Sequence, residues 1–437
     1  MGEEVCLSEH GQTSIDARES LDRAGCRASL ATSSVLFYIT GHGLGHATRS
    51  CEVIGGLVSR GLRVTVVTTA DVAFFRSTLG VLAEHCTFVH KELDAGAVQS
   101  DALRVDPEAT LLAYMQRIHV QRTVLLRGEV EFLAEQRPAL VIVDATPIAV
   151  RAASVCGVRC VILSNFTWDF CYSAMIETMR ASRSVAADAL AAYQQMCDEI
   201  AEDYAAADHY FQYPGAAPPP HQMSSAKLVP MPMLARFARR TRAEQRIELG
   251  LSESALVLIL GFGGQATRWK DRLMSVVLPE GWVCLVLGAG PSELPDGVRQ
   301  FIAAPYDVYV PDLVNAADAM IGKIGYGTVS ECLAHRVPLL YVPRLNWAEE
   351  IFLEKFLLAH EGGARLEETE FDSGDWGPHL NRVLQRHAHA EQKPAHFPAV
   401  DQNRSVSRRP DREGTLEVLE KIIRLATSTP SQTASSS

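Results

Sequence analysis

The sequence predicts an α/β protein built from two parallel-sheet domains, and three observations carry that expectation. An apolar, β-branched run that stops at a glycine cluster and passes into an amphipathic helix occurs at Val35–Ile39, and the pattern restarts at Leu256–Leu260. Between the two lies Pro214-Gly215-Ala216-Ala217-Pro218-Pro219-Pro220, a proline-dense stretch that reads as a stiff extended connector. The length of 437 residues suits two domains.

Taken in order, residues 1–33 scatter acidic side chains among serines without the apolar core of a secretory signal, and read as a disordered leader. The first domain, 34–213, opens with the Val35–Ile39 strand. A helix follows from Ala47 to Ser59 with Val53, Ile54 and Leu57 on one face, then a strand at Leu62–Thr68. This is a right-handed βαβ unit. Helices near 111–134, 149 and 184–207 alternate with strands at Leu140–Val143, Cys160–Leu163 and His209–Tyr213. The linker is 214–222. The second domain, 223–395, carries strands at Leu256–Leu260, Trp282–Leu287, Ala319–Ile321 and Leu339–Val342. Residues 396–426 are a connector and a last amphipathic helix through Leu416, Leu419, Ile422, Ile423 and Ala426, and 427–437 form a Ser/Thr-rich disordered tail.

Composition narrows the function classes. The formal charge of −11 disfavours nucleic acid or a bilayer surface as the main partner. No apolar run is long enough to span a membrane. The ten cysteines are scattered, with no C-x-x-C pair, as expected of reduced thiols in a cytoplasmic protein.

Three glycine-rich turns sit where strands give way to helices. Gly41-His42-Gly43-Leu44-Gly45-His46-Ala47-Thr48-Arg49 is neither a Walker loop nor a dinucleotide fingerprint, and its departure from both is the pair of histidines. Imidazole at the carboxyl end of a strand is well matched to proton transfer near neutral pH, so His46 is the candidate base. Gly261-Phe262-Gly263-Gly264-Gln265-Ala266 repeats the turn in the second domain. The third, Gly322-Lys323-Ile324-Gly325-Tyr326-Gly327-Thr328-Val329-Ser330-Glu331, supplies what a nucleoside diphosphate needs. Gly325 and Gly327 clear a helix start for phosphate, Thr328 adds a hydroxyl donor, Lys323 a cation, and Glu331 a carboxylate able to accept both ribose hydroxyls. Asn165-Phe166-Thr167-Trp168-Asp169 mixes aromatic faces with polar ends, as a carbohydrate site does, although core packing of Phe166 and Trp168 reads equally well. Asp144 either orients a histidine or holds a substrate hydroxyl, or caps a turn. No metal site is expected: His387, His389 and His396 lie in a polar stretch without paired spacing, and no Asp-x-Asp ends a strand.

Together these motifs resemble the two-domain sugar-nucleotide glycosyltransferases of GT-B architecture, in which two Rossmann-like domains face across a cleft. The third turn and Gly263-Gly264-Gln265-Ala266 are similar to the donor half of the transferase that adds GlcNAc to lipid-linked peptidoglycan precursors. All three turns and Asn165–Asp169 resemble more closely the glycosyltransferase-like N-terminal region of plant L-arabinokinase, over roughly Val35 to Gly363. The resemblance implies a metal-independent, inverting transfer of a hexosyl or pentosyl group from a nucleoside diphosphate sugar, with UDP as the nucleotide, to a hydroxyl acceptor. It places Gly263, Gly264, Gln265, Tyr309, Val310, Lys323, Gly325, Gly327, Thr328, Glu331 and Glu350 on the donor, with Glu331 on the ribose and Tyr309-Val310 near the base. It places His42, Gly43, Gly45, Arg49, Asp144, Asn165, Trp168 and Asp169 on the acceptor side, with no cofactor beyond the donor, and has the last helix cross back to the first domain. The sequence departs from these transferases at Asn346-Trp347-Ala348-Glu349-Glu350, where they often carry glutamines that hold the donor sugar, and nothing after Gly363 supplies a kinase-sized domain. A non-catalytic sugar-nucleotide-binding module that regulates a partner, a sugar kinase among the candidates, is therefore the second expectation. Nucleotide-sugar hydrolysis or epimerisation is the third.

Overall fold

The computed structural model describes residues 33–263, 272–295, 300–305, 308–392 and 409–428. Two parallel sheets organise them. The first is seven-stranded, in the order β3-β2-β1-β6-β7-β8-β9: β1 (Ser34–Ile39), β2 (Arg63–Thr68), β3 (Cys86–Val89), β6 (Leu140–Asp144), β7 (Cys160–Ser164), β8 (His209–Gln212) and β9 (Leu228–Pro230). A small antiparallel hairpin, β4 (Gln99–Asp101) and β5 (Arg104–Val105), stands apart. The second sheet has six strands in the order β12-β11-β10-β13-β14-β15: β10 (Leu256–Gly261), β11 (Trp282–Val286), β12 (Phe301–Ala303), β13 (Ala319–Lys323), β14 (Leu339–Val342) and β15 (Gly363–Arg365).

The helices that position the site are α1 (Leu44–Val58), α2 (Trp168–Ser182), α3 (Val310–Ala316), α4 (Tyr326–Ala334), α5 (Glu350–Ala359) and α6 (Arg412–Thr427). Val35 to Ile39 and Leu140 to Asp144 are buried on both faces, which is why these strands read as unbroken apolar runs rather than alternations. In both sheets the strand order reverses at the first strand, between β1 and β6 and between β10 and β13. Ligands bind such sheets at the carboxyl ends flanking that reversal. The first and third glycine turns lie there, as does Gly261–Gly263 of the second.

Two faces of the sheets carry their own cores, whereas a third cluster runs through both halves, joining Phe37 and Ile54 to Val257, Leu313 and Val329. The last helix contributes Val418, Leu419 and Ile422 to it. Helix α6 lies on α1 so closely that a side-chain carbon at Gly56 would come within 2.3 Å of Leu419. A second tie is the β4–β5 hairpin, whose Val105 N–H donates to Leu345 at 3.2 Å while Leu345 N–H donates to Leu103 at 2.8 Å.

The structure moves the expected domain boundary. Leu228–Pro230 pairs with Tyr210–Gln212 as the edge strand of the first sheet, so the proline-dense stretch is a loop inside the first unit, which runs to Pro230 rather than ending at 213. Proline density reported stiffness there and not a boundary. The edge strands β3, β12 and β15 escaped the sequence reading because they are three or four residues long and only partly buried. Residues 115–119 form a π-helical turn that splits the helical stretch expected over 111–134. Of the leader, connector and tail, residues 1–32, 393–408 and 429–437 lie outside the described residues, as do Gly264, Gln265 and His396.

Candidate active site

The first glycine turn leaves β1 and enters α1 through Gly43, whose φ of 69° is the left-handed conformation that glycine adopts without strain. This turn sets His46 one step into α1 over the end of β6. His46 Nδ1 lies 3.1 Å from both carboxylate oxygens of Asp144. Arg49, one helical turn on, donates to Asp144 Oδ1 at 2.6 Å and to Asn165 Oδ1, and Ser164 Oγ donates to Asp144 at 2.8 Å. All five side chains are buried, His46 keeping 6% of its surface.

Burial alone pushes the Asp144 carboxyl up, but the Arg49 guanidinium and His46 outweigh it and hold it down at about 2. Burial, reinforced by Arg49 and opposed by Asp144, lowers His46. The pair is thus an ionised carboxylate accepting from the Nδ1–H of a neutral imidazole. Arg49 also approaches Nδ1, its Nη2 at 2.7 Å, and that same Nη2 donates to Asp144 Oδ1, while the buried Nε of Arg49 has no hydrogen-bond partner among the described residues. Nε2 makes no protein hydrogen bond among the described residues and carries the free lone pair. His42 is held neutral more strongly, down to about 3, by burial and then by the charges of His46, Arg344 and Lys323. Its Nδ1 accepts from Ala97 N–H at 3.1 Å.

The start of α4 meets the start of α1. A side-chain carbon at Gly327 would stand 3.1 Å from Thr48 Oγ1 and 4.0 Å from Gly45 Cα, so glycine there answers the close approach of the other half. Gly325 has extended backbone with φ at −116°, and its use is space rather than conformation. Lys323 lies beneath, its Cε 3.6 Å from where a side chain at the exposed Gly263 would begin. Burial, with Arg344 next, lowers its ammonium to about 7 against the pull of Glu350 and Glu349. Thr328 is half-buried in the first turn of α4. Glu331 is buried and accepts from Arg236 Nε at 2.6 Å. Tyr309 caps α3 just before Val310, with the Arg239 guanidinium 3.8 Å above its ring.

The departing segment Asn346–Glu350 is built into both halves. Glu349 accepts from Asn165 Nδ2 at 2.6 Å and from Trp347 Nε1 at 2.8 Å, while Glu350 accepts the Arg344 backbone N–H at 2.8 Å and its Nε. Trp347 packs beside His42, Phe166 and Trp168, with ring centroids 5.6, 5.7 and 6.2 Å apart. Trp168 is fully buried and stacked on Tyr172, which is core packing, the alternative the sequence left open. Asp169 is pushed up to about 6 by burial, and its Oδ1 has no hydrogen-bond partner among the described residues, the His46 group included. Arg49 lies under the histidine between Tyr213 and Tyr326, in the support of the site. Sequence reasoning missed Arg236 and the roles of Glu349 and Trp347. Arg236 carried no motif, and Glu349 and Trp347 were visible only as a departure. Among the described residues no group of three or more His, Cys, Asp or Glu side chains is placed to hold a metal ion, and no helix is long and apolar enough to cross a membrane.

This geometry is that of a GT-B fold. The glycotransferase of kitacinnamycin superposes with a TM-score of 0.59 at 16% identity over 90% of this chain and 98% of that one. A UDP-glucosyltransferase from Polygonum tinctorium gives 0.59 at 15% identity over 91% and 99%, and the glycosyltransferase VinC, solved with dTDP, 0.55 at 17% identity over 90% and 99%. In sequence, the chain is homologous to part of L-arabinokinase of Arabidopsis thaliana, 38% identical over 364 residues, which are 83% of this chain and 33% of that protein. It therefore spans about a third of that relative's length. The UDP-N-acetylglucosamine–N-acetylmuramyl-(pentapeptide) pyrophosphoryl-undecaprenol N-acetylglucosamine transferase of Nocardia farcinica is 28% identical over 138 residues, 30% of this chain and 36% of that one. No family model matches.

Proposed function

We propose that the chain is a metal-independent, inverting glycosyltransferase that moves a hexosyl or pentosyl group from a nucleoside diphosphate sugar, with UDP as the nucleotide, to a hydroxyl acceptor. The observation that carries this reading is the neutral His46, oriented through Nδ1 by ionised Asp144, on the first sheet's carboxyl end and next to the start of α4. His46 Nε2 takes the acceptor proton as the acceptor oxygen attacks the anomeric carbon. The bond from that carbon to the phosphate oxygen breaks, and its electrons leave with the diphosphate. A single displacement from the opposite side inverts the centre. The N–H groups at the start of α4 and the Lys323 ammonium receive the developing charge, and fixed donors of this kind each lower such barriers by about 3–4 kcal/mol.

Lys323 gives this reading a pH signature. With its ammonium at about 7, it is mostly neutral at pH 8, and a bound diphosphate draws a proton onto it. Calorimetry of UDP binding at pH 8 in buffers of different ionisation enthalpy is expected to give uptake approaching about one proton. Lys323→Met removes that uptake, and wild-type affinity falls as pH rises through 7. For stability the sign is opposite. The unfolded lysine titrates near 10.4, so between 7 and 10 the unfolded chain holds more protons and this group's contribution rises with pH.

A regulatory module that binds the sugar nucleotide without transfer, alongside a sugar kinase, is the second reading. It is favoured by Glu349 and Glu350, whose carboxylates are held by Asn165, Trp347 and Arg344 where transferases contact the donor sugar. Titration with UDP, GDP and their sugars tests the donor site common to both readings, and turnover separates them. UDP is expected to bind, with Glu331→Gln weakening it about tenfold or more through the lost ribose contact while conserving the side chain's shape beside Arg236. Binding of no nucleotide would remove both readings.

A further inference from the structure

Beside the histidine turn, at the carboxyl ends of β1 and β2, the first half contains a cavity of about 360 Å³. Its walls are the Gly41–Gly43 turn, Thr69, His90, Glu92, Asp94 and Arg117. Binding cavities are usually apolar with a few polar groups. Here every side chain beyond glycine and Ala95 is polar. An apolar acceptor would cover these groups without replacing the water they lose, at a cost for each unpaired group.

Asp94 sits at the inner wall with its orientation fixed. Thr40 Oγ1 donates to one oxygen at 2.8 Å and Thr146 Oγ1 to the other at 3.4 Å, the Gly96 backbone N–H adds a further contact, and the residue lines the cavity. A carboxylate so held accepts two hydroxyls at once. Arg117 and Glu92, both exposed on the cavity wall, are paired with each other. That pairing cancels the cation, so with Asp94 the wall is net negative and unsuited to a phosphorylated ligand.

We propose that this cavity is the acceptor subsite of the transferase proposed above, and that the acceptor is a small, neutral, polyhydroxylated molecule, a free sugar or polyol, with Asp94 as its specificity-determining residue. A cavity near the lower end of the usual 300–1,000 Å³ range suits a molecule of that size. The proposal rests on the transferase reading for the word acceptor; the binding chemistry does not.

Saturation-transfer NMR and calorimetry on the full chain, with and without saturating UDP, test it using L-arabinose, D-galactose and myo-inositol. 4-Nitrophenol and D-galactose 1-phosphate are the comparators. At least one neutral sugar is expected to saturate the protein, with Asp94→Asn weakening it tenfold or more and leaving the Kd for UDP unchanged. Arg117→Ala, at an exposed position, weakens it several-fold and decides the matter if the Asp94 variant does not fold. The proposal is overturned if no neutral sugar binds, if the phenol or the phosphate binds in preference, or if both variants retain wild-type sugar affinity. Failure of UDP to bind while sugar still does would remove the transferase reading and leave the polyol site standing.

Discussion

His46→Ala is expected to lower kcat by about 10²- to 10⁴-fold while leaving the Kd for UDP within about twofold, because general-base assistance of this size is lost and no donor contact is. The split distinguishes a base from a structural histidine. His46 packs edge-on against Phe166, so the alanine also leaves a small space, but stability measured by urea unfolding changes far less than turnover. The pH profile carries the same signature. Burial lowers the imidazole below its ordinary value, so the acid limb of kcat/KM is expected below pH 6.5, with activity rising as pH climbs through it and falling again above 7 as the Lys323 ammonium is lost. Asp144→Asn keeps the shape but removes the charge that selects the Nδ1–H tautomer, and lowers kcat in the same direction.

The second large effect is on stability. Arg49→Leu removes the cation that holds Asp144 ionised and leaves a fully buried carboxylate without its charge partner, a change that costs about 3–5 kcal/mol. Urea unfolding reads this directly. Arg49 also links Asp144 to Asn165 and, through it, to Glu349 of the other half, so the variant loosens both units together. A residue that merely contacted acceptor would instead raise KM in a stable protein. Paired replacement of Arg49 and Asp144 by apolar residues should recover much of the lost stability, because the uncompensated charge goes with its partner.

What was legible in the sequence was local. A run buried on both faces, a turn that needs positive φ at Gly43, and a helix opened by Gly325 and Gly327 each announce themselves within ten residues, and they located the carboxyl ends of both sheets where the strand order reverses. Asp144 was legible only as one of three readings, an orienter of a histidine, a holder of a substrate hydroxyl or a turn cap, and the structure pairs it with His46. The contacts that complete the site were not. Asn165 reaches Glu349 across 184 residues, and Glu331 reaches Arg236 across 95, and neither periodicity nor spacing carries such pairings. Trp168 shows a second limit: an aromatic that could stack on a sugar and one that fills a core have the same letter. Gly327 shows a third: the sequence read its glycine as clearing space for phosphate, and in the structure it answers the 3.1 Å approach of Thr48.

A crystal structure of the protein soaked with UDP tests the central claim most directly. The pyrophosphate is expected on the backbone N–H groups opening α4, with Lys323 and Thr328 beside it, the ribose on Glu331, and His46 Nε2 facing the β-phosphate across the junction of the two halves. UDP bound elsewhere, or the start of α4 still closed by Thr48 and Gly45 at saturating UDP, would contradict it.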